Sequence, residues 1–236
     1  MPRQEETKKK TNEPSRRDEF RARRKRDQMR SQLTPIILIS VAAIAVVIIL
    51  IITSQQNSVA SRPQASGLAM GNPDALVKVE SFADFQCPAC ALFASDGEQK
   101  IVKDFVEPGK IYYKFTPFSF LGPDSFTAAE AAYCASDQNK FWEYHDTVFN
   151  NQRGENQGWF SATRLANFAN DLKLNVEEFK TCFDNGKYKQ QVLDDVTYGR
   201  NNNIDRTPSF IVNGRLVYSD TVYTVIESEL KAKGVK

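Results

Sequence analysis

The sequence predicts an α/β domain preceded by a single N-terminal transmembrane helix. Residues 76–118 read as strand, helix and strand, and Asn213-Gly214 stands between two β-rich runs. The run Ile36–Ile52 carries no charge. A strand–helix–strand unit makes a right-handed crossover between parallel strands. Asn-Gly between β-rich runs predicts a hairpin.

Residues 1–34 form a basic tail, which we expect to lie in the cytoplasm. They hold 12 Lys and Arg against 6 Asp and Glu, whereas the remaining residues hold 19 against 23. The net charge of +2 therefore hides a basic tail on an otherwise acidic chain. A basic tail can contact nucleic acid. Because an uncharged run follows, we instead interpret the tail as the basic flank of a membrane-spanning helix. No nucleic-acid partner is expected.

Residues 35–53 are predicted to span the cell membrane once. A helix of this length covers roughly 30 Å, the thickness of the hydrocarbon core. Because the excess of Lys and Arg precedes the span, the N-terminus should be cytoplasmic and everything after Thr53 extracytoplasmic. Ser58-Val59-Ala60 resembles a cleavage site, so a long signal peptide cleaved near Ala60 is the alternative. We favour an uncleaved signal-anchor because the apolar run exceeds the roughly 7–15 residues of a signal core.

A flexible spacer is predicted at residues 54–72 and a globular domain at residues 73–236. The spacer is rich in Ser, Gln, Asn and Ala and has neither helical nor strand periodicity. The domain should begin with a strand, a helix, a second strand and a helical insertion, at residues 76–85, 88–106, 110–118 and about 123–203. This order places Cys87 at the C-terminal end of a strand, where α/β proteins usually carry their chemistry.

The insertion should contain several amphipathic helices. Ser161 is a possible helix cap, and Asn175 with Glu178 resembles a capping box. His145 lies within an apolar stripe, so we expect a packing residue and not a catalyst. After residue 206 the chain returns to strands, and a final helix is predicted over residues 221–233.

The spacing of Cys87 and Cys90 places both sulfurs on one helix face, close enough to form a disulfide. Pro88 suits the first helical position, which leaves Cys87 at the cap. A sulfur at the cap faces unpaired N–H groups and the positive end of the helix dipole, which lower its pKa. Cys90, one turn later, should be less exposed.

A Cys-x-x-Cys pair can also supply half of a zinc site. Zinc would need two further ligands at matching spacing, but Cys134 and Cys182 stand alone and His145 is the only histidine. A buried, inert pair conflicts with the position of Cys87 at a helix cap. We therefore predict neither a metal nor another cofactor.

Cys134 and Cys182 are predicted to form a structural disulfide within the insertion. An oxidising compartment rarely leaves two thiols free. The alternative is a pair of buried, reduced cysteines.

Three separated motifs resemble the DsbA-like thioredoxin-fold disulfide oxidoreductases. They are the segment Phe82-Ala-Asp-Phe-Gln-Cys-Pro-Ala-Cys90, the segment Phe141-Trp-Glu-Tyr-His-Asp146 and the segment Thr207-Pro208-Ser-Phe. The resemblance covers residues 73–236. It implies a thioredoxin fold split by a helical domain, with Pro208 in the cis form beside Cys87. Thr207 would then present a backbone edge to an extended substrate chain.

The activity implied by this resemblance is the introduction of disulfides into exported proteins through the Cys87–Cys90 pair. The implied partners are reduced exported polypeptides and a membrane quinone-linked reoxidase of the DsbB-like or VKOR-like kind. The spacer is too short to hold a dimerisation domain, so a monomer is expected.

The chain departs from the family pattern at two positions. Ala89 stands where a histidine is commonest, and the side chain of Ala89 offers Cys87 neither charge nor hydrogen bond. Ser81 stands where the family often has an acid, six residues before Cys87. Glu80 is adjacent but should point to the opposite face of the sheet.

Two alternative functions follow from the same residues. A membrane-tethered reductase is one, although such reductases usually lack the large helical insertion. The other is a peptide-binding or copper-binding module without turnover. Such a module would not need Pro88 and Thr207-Pro208 together.

Overall fold

The structure is a computed structural model that describes residues 62–235 and four isolated earlier residues, Arg23, Arg24, Ile44 and Val47. The chain divides into two units, residues 1–58 and 59–236. The folded domain lies in the second unit.

No helix within the described part of the chain is long and apolar enough to cross a membrane. Apart from those four isolated residues, the predicted tail at residues 1–34 and the predicted span at residues 35–53 lie outside the described residues. The alternative cleavage site near Ala60 also lies outside them.

Thirteen helices and strands and one π-helical turn, Val102–Val106, follow one another in the described domain. In chain order the helices and strands are β1 (Ala69–Gly71), β2 (Val77–Ala83), α1 (Pro88–Ser95), α2 (Gly97–Ile101), β3 (Ile111–Pro117), α3 (Pro123–Ser136), α4 (Phe141–Asn150), α5 (Ala162–Asp171), α6 (Val176–Asp184), α7 (Lys189–Asn201), β4 (Ser209–Val212), β5 (Arg215–Tyr218) and α8 (Val222–Ala232).

The strands form one sheet in the order β1-β3-β2-β4-β5. β2 and β3 are parallel, with Val77 opposite Ile111, and the other neighbouring pairs are antiparallel. β4 and β5 form the hairpin predicted at Asn213-Gly214. The sheet is thioredoxin-like, and helices α3–α7 are inserted between β3 and β4. The predicted α/β class and parallel crossover are confirmed.

The helix predicted over residues 88–106 is interrupted. Asp96 leaves helical geometry, with φ −129° and ψ −69°, so that α1 ends before it and α2 begins after it. Gly97 accommodates the ring of Phe93, because a Cβ atom at Gly97 would lie 2.6 Å from that ring. The break therefore follows from close packing of an aromatic ring against the backbone, which helical periodicity does not reveal.

The predicted spacer is too long at its C-terminal end. Residues 69–71 form β1, which pairs antiparallel with β3. The side chain of Arg62 is only 5% exposed. Gly71 has φ +85°, and a Cβ atom there would lie 2.4 Å from the carbonyl oxygen of Ile111. The domain therefore includes residues from Arg62 onward, and a strand of three residues is too short to show a periodic pattern.

A disulfide joins α3 to α6 through Cys134 and Cys182. Asn175 caps α6, since its side-chain oxygen accepts hydrogen bonds from the N–H groups of Glu177 and Glu178. Ser161 occupies the cap position of α5, but its side chain makes no capping hydrogen bond.

His145 is fully buried, and its ring packs against aromatic rings that include Phe115, at 4.8 Å between centroids. This is the packing position predicted for it.

Candidate active site

Cys87 stands at the junction between β2 and α1. It is the N-cap residue of α1, with φ −72° and ψ 118°, and Pro88 follows in the first turn. Cys87 and Cys90 are both free thiols. Cys87 is 8% exposed and Cys90 is 2% exposed, whereas Pro88 and Ala89 are exposed between them. The cysteine at the cap is thus the more accessible of the two.

The two thiols have opposite pKa shifts. The pKa of Cys87 is lowered to about 6, and the hydrogen bond from the Cys90 side chain is the largest single cause. Burial opposes this shift, whereas Thr207 and the N–H groups of Cys90 and Ala89 reinforce it. Burial raises the pKa of Cys90 well above its ordinary value, and the hydrogen bond with Cys87 and the charge of Cys87 raise it further. At neutral pH the reduced pair therefore holds one thiolate, at Cys87, and one thiol.

The peptide bond between Thr207 and Pro208 is cis. The sulfur of Cys87 lies 3.5 Å from the carbonyl oxygen of Thr207. The hydroxyl of Thr207 is buried and has no hydrogen-bond partner among the described residues. It is therefore available to the thiolate of Cys87, whose pKa the Thr207 side chain lowers. The structure thus brings together two sequence motifs that are 120 residues apart.

Glu80 does not serve the cysteine pair. Its carboxylate accepts hydrogen bonds from Lys114, Thr116 and Tyr198 at 2.6–2.9 Å. These partners lie on β3 and α7. Ser81, which replaces the acid common in the family, is 2% exposed. Glu80 therefore points away from the cysteines, as the alternation of side chains along a strand predicted.

Asp84 organises the site, although sequence reasoning assigned no role to this residue. It is fully buried three positions before Cys87. One carboxylate oxygen accepts from the N–H of Gln86 at 2.8 Å and from the hydroxyl of Ser125 at 2.6 Å. The other accepts from the N–H groups of Phe120 and Leu121 at 2.9 and 3.1 Å.

Gln86 extends this network to the loop between α4 and α5. Its amide donates to Ser125 and Asn156 at 2.9 and 3.1 Å and accepts from the N–H of Asn156. Asn156 in turn donates to the carbonyl of Leu121 at 2.7 Å. The available sequence signal was the pair of polar residues at positions 84 and 86, between a buried strand and a helix. Their partners are distant in sequence and could not be read from it.

Glu98, His145 and Asp146 are the one group among the described residues whose ligand atoms could surround a metal ion. Arg62 already supplies the positive charge at this position. Its guanidinium contacts the carboxylates of Glu98 and Asp146 at 2.9 and 2.6 Å and stacks 4.9 Å above the ring of Trp142. We therefore assign no metal to this cluster.

Comparison with known proteins places this arrangement in a family. The family model described as Thioredoxin matches residues 64–231. Disulfide bond formation protein D of Bacillus subtilis is 33% identical over 77% of this chain and 86% of its own length. A probable disulfide bond formation protein D of Bacillus anthracis is 31% identical over 69% of this chain and 78% of its own length.

Solved structures agree with these matches. The oxidised BdbD of Bacillus subtilis superposes with a TM-score of 0.65 and 31% identity, over 73% of this chain and 98% of that chain. DsbA of Chlamydia trachomatis shares the fold, with a TM-score of 0.63 and 22% identity over 68% of this chain and 90% of that chain. The chain therefore belongs to the thioredoxin family and is a DsbA-like protein thiol-disulfide oxidoreductase.

Proposed function

We propose that this protein is an extracytoplasmic oxidase that introduces disulfides into exported proteins through Cys87 and Cys90. The observation that carries the proposal is the low pKa of Cys87, about 6, at the cap of α1. A thiolate that the protein stabilises makes the reduced form of the enzyme more stable. The disulfide form then becomes the stronger oxidant.

The reaction has two exchange steps. A substrate thiolate attacks the Cys87 sulfur of the oxidised pair, the bond to Cys90 breaks, and Cys90 leaves and takes up a proton. A second substrate thiolate then attacks the substrate sulfur of the mixed disulfide and releases Cys87 as a thiolate. The substrate loses two electrons and two protons and gains a disulfide. The enzyme pair gains the two electrons and is reduced.

The buried position of Cys90 assigns the two sulfurs different roles. Cys87 is the more exposed and accepts the incoming thiolate, because Cys90 is 2% exposed. Cys90 acts within the enzyme and releases Cys87 from stalled mixed disulfides. An extended substrate chain would lie along the backbone of Thr207-Pro208, next to the sulfur of Cys87.

We further propose that residues 35–53 anchor the protein in the cell membrane with residues 1–34 in the cytoplasm. The support is the distribution of charge around the uncharged run Ile36–Ile52. A membrane quinone-linked reoxidase of the DsbB-like or VKOR-like kind would restore the Cys87–Cys90 disulfide. The predicted attachment places the reduced pair on the side of the membrane where such a partner would act.

Two cysteine variants of the full-length chain test the proposed roles. Cys87→Ser should abolish oxidation of a reduced dithiol peptide. Cys90→Ser should accumulate mixed disulfides on Cys87, because the resolving thiol is missing while the helix terminus still stabilises the thiolate. Mass spectrometry after acid quenching identifies the adducts. The assignment would be contradicted if Cys90 in the Cys87→Ser variant formed adducts as fast as Cys87 does in the Cys90→Ser variant.

The absence of a histidine at position 89 supports a second candidate, a membrane-tethered reductase. Ala89 contributes a backbone N–H to the stabilisation of Cys87 but no side-chain donor. If a histidine adds such a donor, Ala89→His should be the stronger oxidant. A wild-type protein that reduces disulfides but does not oxidise dithiols would favour the reductase. A wild-type protein that exchanges with neither would favour a binding module.

A further inference from the structure

We propose that Asp84 is a positioning residue for thiol–disulfide exchange, because its carboxylate joins the turn that carries Cys87 to the loop between β3 and α3. The proposal deepens the proposed function and rests on it in one respect, that Cys87 is the reacting sulfur. It assigns the side chain of Asp84 no contact with the substrate or with either sulfur atom; the backbone of Asp84 forms a hydrogen bond with Cys90.

Asp84 fixes the turn before α1 at two points. Its side chain accepts from the N–H of Gln86 at 2.8 Å, and its carbonyl oxygen accepts from the N–H of Cys87 at 3.0 Å. These two N–H groups are therefore occupied and do not donate to the sulfur of Cys87. The sulfur of Cys87 depends instead on the thiol of Cys90 first, and then on the Thr207 side chain and the N–H groups of Cys90 and Ala89 in the first turn of α1. The position of the sulfur relative to those donors follows from the turn that Asp84 holds.

The same carboxylate fixes the neighbouring loop. Two consecutive N–H groups, of Phe120 and Leu121, donate to its second oxygen. Phe120 keeps 41% of its surface exposed on this loop, which leaves an apolar side chain available to a substrate chain. The hydroxyl of Ser125 ties the start of α3 to the first oxygen. Asp84 thus holds the cysteine turn and an exposed aromatic residue in one fixed arrangement.

Only an ionised carboxylate matches this set of four donors. It offers acceptor sites on both oxygens and presents no donor. An asparagine at this position would direct an NH₂ group at N–H donors and leave at least one buried N–H unpaired, and a glutamate would be one methylene too long. Buried N–H groups without partners are strongly disfavoured. Both substitutions should therefore move the turn or the loop, even though one removes the charge and the other keeps it.

This pair of variants separates positioning from a plain charge effect. A nearby negative charge disfavours a thiolate. If the charge of Asp84 were what mattered, Asp84→Asn would lower the pKa of Cys87 and Asp84→Glu would leave it unchanged. If Asp84 acts by positioning, both variants should raise that pKa, because the sulfur moves away from its donors.

The experiment uses the full-length chain, purified in detergent with the Cys134–Cys182 disulfide intact and the other two cysteines reduced. The pH dependence of alkylation by iodoacetamide, located on Cys87 by peptide mass mapping, gives its apparent pKa. We expect a rise of roughly one unit in both Asp84 variants, the effect of weakening one hydrogen bond to a charged group. Oxidation of a reduced dithiol peptide at pH 7 should slow by roughly threefold, since a more basic thiolate leaves more slowly.

Asp171→Asn, at an exposed position on α5, is the matched control and should change neither quantity. A lower pKa in Asp84→Asn, or an unchanged pKa in both Asp84 variants despite a lower melting temperature, would overturn the proposal. If neither variant folds, Ser125→Ala decides, because it removes one donor and keeps the carboxylate. A smaller rise of the same sign supports positioning, and no rise overturns it. A wild-type protein that fails to oxidise the peptide would instead contradict the proposed function.

Discussion

Replacing Arg62 with methionine should strongly destabilise the domain. The guanidinium contacts the buried carboxylate of Glu98 at 2.9 Å and that of Asp146 at 2.6 Å, and it stacks on Trp142. The side chains of Arg62 and Glu98 are 5% and 2% exposed. Methionine fills part of the same volume but supplies no charge. Among the described residues, Glu98 would then keep only the hydroxyl of Tyr113, at 3.2 Å, as a donor in hydrogen-bonding range.

The expected size follows from the burial of this cluster. Removing one partner of a buried ion pair costs about 3–5 kcal/mol, because the remaining charge stays buried without compensation. In a domain of this length each kcal/mol lowers the melting temperature by about 2–4 °C. The variant should therefore melt roughly 6–20 °C below the wild type. The melting temperature of Arg62→Lys should lie between those of the wild type and Arg62→Met. The lysine keeps the charge, but its ammonium group cannot reproduce the bidentate geometry of a guanidinium.

Urea unfolding of the full-length chain in detergent, followed by far-ultraviolet circular dichroism at pH 7, measures the difference. Arg206→Met is the matched control, because Arg206 pairs with Asp205 and stacks on Tyr218 while remaining exposed. It should leave the unfolding midpoint unchanged. The double variant Arg62→Met with Glu98→Gln should recover part of the loss, since the orphaned charge is gone. An unfolding free energy for Arg62→Met within about 0.5 kcal/mol of the wild type would refute this account of the cluster.

Three further predictions concern other contacts. Thr207→Val should raise the pKa of Cys87 above its value of about 6, because the variant lacks the hydroxyl that is available to the thiolate. Titration of the thiolate absorbance measures this, and an unchanged pKa would exclude that role for the hydroxyl. Replacing both Cys134 and Cys182 with alanine should lower the unfolding free energy by about 4 kcal/mol, since the bridge closes a loop over a sequence separation of 48; equal stability of this variant and the wild type would show that the bridge contributes nothing. The pKa of Asp146 lies below its ordinary value. Burial raises this pKa, but the hydrogen bond with His145 and the charges of His145 and Arg62 lower it by more. The resulting stabilisation is present above about pH 4 and is lost as the pH falls through the folded-state value. The stability difference between wild type and Asp146→Asn should therefore shrink in acid, and a difference that stays constant down to about pH 2 would contradict this.

Local patterns were sufficient to predict most of the elements that carry the cysteines. Pro88 after a β-rich run predicted a helix start with Cys87 at its cap, and Asn213-Gly214 predicted the hairpin turn. The arrangement of Thr207-Pro208 beside Cys87 came from the family resemblance, because residue type alone does not select a cis bond. Each of these features is specified within a few neighbouring residues or by a distinctive motif.

The features that sequence reasoning missed depend on contacts between distant residues. β1 has three residues and exists because β3 offers an edge for it. The partners of Asp84 at the β3–α3 loop are 36 and 37 residues away, and the partner of Arg62 on α4 is 84 residues away. Buried polar residues of this kind look, in sequence, like ordinary surface residues. Only the fold shows that their charges and hydrogen bonds are matched.

The thiol–disulfide equilibrium of wild-type protein with glutathione at pH 7 tests the central claim most directly. That claim is that the thiolate of Cys87, with a pKa of about 6, stabilises the reduced enzyme. Its disulfide should then be a stronger oxidant than that of thioredoxin, because a Cys pKa roughly one unit lower raises the reduction potential by roughly 20–30 mV above the thioredoxin value of about −270 mV. A value near about −270 mV or below would contradict the oxidase function and favour the reductase.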